Sequence, residues 1–127
     1  MKRRSLALAG WLTLMSPAPI SAHHPLSNYN LDQTQVLDGT LVELQIVNPH
    51  SLLYLDVPAQ TGKPQRWTIE WAPALLLKRQ GVTASTLAEG DHLVVTGFAA
   101  RNPADHRIRL RTIRRPSDGW TWTGGFN

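Results

Sequence analysis

The sequence predicts a mainly β domain: a small five-stranded OB-like barrel with one short helix between strands 3 and 4. Three observations carry that expectation. Five short runs of alternating or β-branched apolar residues are separated by Gly, Pro, Asn and Asp clusters, the pattern of strands joined by turns. A Leu-rich segment opened by Pro73 and stopped by Gly81 interrupts the series after its third member. The chain also has no Cys. The roughly 105 residues beyond an N-terminal leader must therefore be held by an apolar core, not by disulfides, and that length is sufficient for one. A β-sandwich needs about seven strands, more than this length accommodates comfortably.

The leader is read from its charges and its length. Lys2, Arg3 and Arg4 precede an apolar stretch over residues 5–15, Pro17 and Pro19 break any helix, and Ser21-Ala22 forms a small-residue exit. Residues 1–22 are expected to be a signal peptide, cleaved to leave His23 first. The mature protein is then periplasmic or secreted. The apolar stretch falls short of the roughly twenty residues that a spanning helix needs, and no later stretch replaces it, so no membrane span is expected after cleavage. Of the 13 Lys and Arg, three belong to the leader, leaving ten against nine Asp and Glu. A nearly neutral exported chain is not a nucleic-acid binder.

The mature chain divides into a polar arm over residues 23–35, the barrel over 36–115 and a Gly/Trp tail over 116–127. The first strand, 36–46, alternates around a turn-like Asp38-Gly39, with Leu44 and Ile46 on one face and Glu43 and Gln45 on the other. Asn48-Pro49-His50 ends it, because Pro49 cannot donate to a ladder. Residues 51–57 make the second strand and 66–71 the third, with Trp67, Ile69 and Trp71 on one face. The helix follows, with Lys78 and Arg79 favourably at its carboxyl end. Glu89-Gly90-Asp91 turns the chain into a β-branched fourth strand, 92–99, and residues 102–105 turn it into the fifth, 108–113.

Two constellations suggest binding. A terminal His23 offers an α-amine and an imidazole; His24 adds a second imidazole and an amide whose proton Cu(II) can displace. Pro25, lacking an amide hydrogen, excludes a chelate through two successive amides. His50 lies in the loop between strands 1 and 2, at the binding mouth of many OB-folds, and an extended arm of thirteen residues could reach ~45 Å to bring the terminus to it. A metal site of His23, His24 and His50 is expected, with copper as the cofactor. The alternative is an interaction module for an anionic or saccharide envelope component. It would use Arg107, Arg109 and Arg111, which alternate along the last strand, with Trp120 and Trp122 in the Gly-rich tail. No catalytic residues are expected: the chain has no G-x-S-x-G elbow, H-E-x-x-H pair, phosphate loop or Cys nucleophile. Glu70 and Asp91 are accounted for by turn chemistry and surface pairing, and His92 and His106 by partly exposed strand starts.

Several short motifs occur in one order: His23-His24 after a leader, Gly39-Thr40, Asn48-Pro49-His50, Glu70 with Pro73, Arg79 with Gly81, and Leu87-Ala88-Glu89-Gly90-Asp91 through Gly97. In that order the chain resembles a secreted bacterial family catalogued as domain of unknown function 6152. The resemblance spans nearly the whole mature chain. It implies an envelope location and no activity.

Overall fold

The computed structural model describes residues 26–124. The expected signal peptide and the His23-His24 pair lie outside them. The fold is mainly β. A 3-10 turn, Leu26–Asn28, leads into β1 (Tyr29–Gln45), followed by β2 (Leu52–Val57), β3 (Gln65–Glu70), α1 (Ala74–Arg79), β4 (His92–Ala100), a second 3-10 turn (Pro103–Asp105), β5 (Arg107–Arg115) and β6 (Trp120–Thr123). The strands form one sheet in the order β3-β2-β1-β4-β5-β6, antiparallel throughout that order. An additional parallel pairing joins β3 to β5. No helix among the described residues is long and apolar enough to cross a membrane.

Strand β1 is long because it serves two neighbours. Its first part pairs with β4, setting Leu37 opposite Val95, and its last part pairs with β2, setting Leu44 opposite Leu53. Thr40, at the handover, pairs with both His92 and Asp56. Asp38-Gly39, expected as a turn, lies inside this strand. The glycine is required by close approach: a Cβ on Gly39 would stand 2.7 Å from the carbonyl oxygen of Asp56. Much of the segment expected as an arm is strand too, since β1 begins at Tyr29. Its polar side chains face solvent while its backbone pairs, so no apolar period marks it. The register shifts between Tyr29, opposite Ala100, and Thr34, opposite Phe98.

The helix falls between β3 and β4 as expected and buries Leu77. The amide of Val82 closes its end on the carbonyl of Leu77 at 2.9 Å. The core gathers the inward sides of the strands, with Leu41, Leu53, Leu55, Ile69, Leu93 and Ile108 fully or almost fully buried.

Two features of the carboxyl-terminal third correct the sequence reading. Thr112 pairs with Thr96 but Leu110 pairs with Gly97, which leaves Arg111 as an extra residue on β5. A Cβ on Gly97 would lie 2.3 Å from the carbonyl oxygen of Arg109, so only glycine admits β4 this close to the bulge. Among the described residues there are six strands, not five, because residues 120–123 of the expected tail pair with β5. Burial of Trp122 accounts for this. Its ring meets Trp71 edge-on at 5.3 Å and its Nε1 donates to Oε1 of Gln80 at 2.9 Å.

Candidate functional site

Glu70 ends β3 between Leu52 of β2 and Arg109 of β5. Alternation turns Ile69 into the core and sends Glu70 to the opposite side of the strand, where solvent is expected. The carboxylate is nonetheless only 1% exposed. Tyr29, itself fully buried at the start of β1, donates its hydroxyl to Oε2 at 2.6 Å. Arg109 donates Nη1 to Oε1 at 3.3 Å, His50 places Nδ1 2.9 Å from the same oxygen, and Arg107 Nη1 stands 3.6 Å from Oε2. Four side chains from three separate regions of the chain thus converge on one carboxylate.

Local structure explains the convergence. His50 follows a cis Asn48-Pro49 peptide in the loop between β1 and β2. The next residue is clamped: the Ser51 amide donates to Ala72 at 3.1 Å, its carbonyl accepts from Trp71 at 2.7 Å, and its hydroxyl bonds the backbone of Val47. That clamp seats His50 beside the residue preceding Trp71. Arg107 and Arg109 are two apart before the bulge, so both reach the Glu70 side.

Two guanidiniums surround one carboxylate, giving the cluster an excess positive charge. Burial first, and then the neighbouring Glu70 carboxylate, push the Tyr29 phenol well above its ordinary range, although Arg107 pulls the other way. Tyr29 therefore remains a proton donor to Glu70 at any physiological pH. Buried ion clusters contribute little net stability, because desolvation offsets attraction; their value here is fixed geometry.

The residues expected to bind are distributed unequally. His50 joins the Glu70 cluster, whereas His23 and His24 are outside the described residues. Among the described residues no three His, Cys, Asp or Glu side chains group as a metal set. The expected arginine row is divided: Arg109 is 6% exposed, Arg107 is half-buried beside Glu70, and exposed Arg111, displaced by the bulge, lies over the Phe98 ring at 5.2 Å. Trp120 is half-buried with the Arg115 guanidinium 5.8 Å from its ring centre. Trp122, a candidate either to cap the barrel's end or to engage a ligand, is 6% exposed in the core. Asp91 accepts from the Ala88 amide and from Arg115, the turn chemistry and surface pairing expected of it.

Sequence reasoning missed the central role of Glu70 and Tyr29. The alternating arginines of β5 were the one available hint of a buried anion nearby, whereas strand alternation by itself sends Glu70 to the solvent side. Tyr29 lacked any such signal.

A model of the family of unknown function DUF6152 matches residues 12–109. No curated protein and no solved structure matches the chain. The chain belongs to that family.

Proposed function

We propose that this family member is an exported small binding protein, an OB-like barrel of five strands extended by a sixth. It holds a divalent transition metal, copper foremost, at His50 together with His23 and His24 of the processed terminus. The circuit of pairings β1-β2-β3-β5-β4-β1 supports the barrel reading. The observation that carries the metal reading is the 2.9 Å contact between Glu70 and His50 Nδ1. A carboxylate on that nitrogen holds a proton at Nδ1 and orients the ring, as outer carboxylates do for metal-ligating histidines, which leaves Nε2 as the nitrogen that would meet a metal.

The positive excess of the Glu70 cluster opposes a hard dication. It is more compatible with Cu(II), which can displace an amide proton and so reduce the charge of its own complex. The rival reading, an anionic or saccharide ligand on the arginine strand and tail tryptophans, has less support, because Arg109 and Trp122 are buried. Cu(II) competition against a chelator of known affinity tests the metal reading. Protein beginning at His23 should bind more tightly than the same protein carrying one extra N-terminal residue; equal affinities would refute it.

A further inference from the structure

Behind the Glu70 cluster lies a cleft of about 340 Å³ lined by Asn28, Tyr29, Ala100, Asp105 and Arg107. Its size is within the range of small-molecule sites. Its lining carries one cation and one anion that do not neutralise each other: among the described residues Arg107 is ion-paired with Glu70 and not with Asp105. The Glu70 contact is long, at 3.6 Å, and the same Oε2 accepts the Tyr29 hydroxyl at 2.6 Å. A guanidinium has five N–H donors in a planar fork. The long Glu70 contact and a bond to the Tyr29 hydroxyl engage only part of that capacity.

The opposite charge is held in place by its turn. Asp105 Oδ1 accepts from the Asn102 amide group at 3.0 Å, while Asn102 Oδ1 accepts from the Ala104 amide at 3.2 Å. Between Asp105 and Arg107, His106 adopts a left-handed φ of 44°, uncommon outside glycine, and sets its ring edge-on to Trp67 at 5.2 Å. His106 thus separates the two charged neighbours, which form no ion pair among the described residues. The remaining wall is also fixed: Arg101 bonds the carbonyls of Ser27 and Asn28, tying the first 3-10 turn to the end of β4.

We propose that this cleft binds a small zwitterion of the amino-carboxylate class, its carboxylate on Arg107 and its ammonium on Asp105. Charge balance favours a zwitterion over a simple anion. Arg107, Arg109, Glu70 and Asp105 sum to zero, so a neutral ligand with separated charges satisfies both walls without adding net charge. The site uses neither His50 nor the amino terminus and goes beyond the metal reading.

The test is an amide chemical-shift titration of metal-free, isotopically labelled protein with L-alanine, β-alanine and L-alanyl-L-alanine, each compared with acetate and ethylamine. At least one zwitterion should give saturable shifts at Asn28, Tyr29, Ala100 and Asp105, and each half-ligand should bind at least tenfold more weakly. Asp105→Asn should weaken the zwitterion at least tenfold while leaving acetate unchanged; this amide retains an oxygen for Asn102. Arg107→Gln should abolish both interactions, with circular dichroism verifying the fold. Acetate binding as tightly as every zwitterion, or no saturable shift at the cleft with any zwitterion, would overturn the proposal. Because the titration is done without metal, failure here leaves the His50 reading untouched.

Discussion

Replacing Glu70 with Gln removes one charge and almost no volume. The amide can keep an oxygen toward Arg109 and His50 only by turning its NH₂ on the Tyr29 hydroxyl, which now donates to Glu70. The guanidinium of Arg109, 7% exposed, then loses its carboxylate partner, while Arg107, 26% exposed, is partly relieved by solvent. Loss of one partner from a buried ion pair costs about 3–5 kcal/mol, a large share of the roughly 5–15 kcal/mol that stabilises a domain. With a urea slope of about 1.5 kcal/mol/M, the unfolding midpoint should fall by about 2–3 M. Equilibrium urea unfolding followed by tryptophan fluorescence measures this. Asp56→Asn is the control, since it breaks the exposed pair with Arg66 and should barely move the midpoint. A Glu70→Gln shift below about 0.5 M would refute the reasoning, because the carboxylate would then behave as a surface group.

Three other substitutions probe separate parts of the account. The folded-state pKa of Tyr29 is raised, so its contribution is fully present below the unfolded phenol value near 10 and is lost as pH rises through the folded value. The wild type should therefore lose up to about 1.4 kcal/mol per pH unit above that point, and urea midpoints from pH 9 to 11 should decline less steeply in Tyr29→Phe. Gly97→Ala forces a Cβ against the Arg109 carbonyl and should destabilise by about 1–3 kcal/mol in thermal unfolding; a neutral result would contradict the close approach of β4 to β5. Trp122→Ala removes the contact with Trp71 and the bond to Gln80 and should cost about 3–5 kcal/mol, whereas a dispensable tail would show no change.

Most of the fold was legible because it rests on local patterns. The apolar run at residues 51–57 and the alternation in 66–71 marked β2 and β3, and Pro73 with Gly81 bracketed the helix. What could not be read depended on partners distant in sequence. Residues 29–35 enter the sheet through the backbone pairings of Tyr29, Thr34 and Gln35 while their side chains are mostly polar, so periodicity does not reveal them. Residues 120–123 are too few for a periodic signal, and their place is set by Trp122 meeting Trp71, 51 positions earlier. The three alternating arginines illustrate the same limit. A bulge opposite Gly97 removes Arg111 from the row, and Tyr29, 41 residues from Glu70, helps close the carboxylate from solvent. His50 was identified as a candidate, but Glu70, which orients it, was read as a surface group because strand alternation alone sends it outward.

Pulsed electron paramagnetic resonance of the mature protein with one equivalent of Cu(II) tests the metal assignment most directly, because it counts the imidazoles on the ion. The account predicts that His50→Ala removes one imidazole from the wild-type pattern and weakens Cu(II) binding, and that Glu70→Gln weakens it about 10–100-fold through loss of orientation. A spectrum and affinity unchanged by His50→Ala would contradict the account.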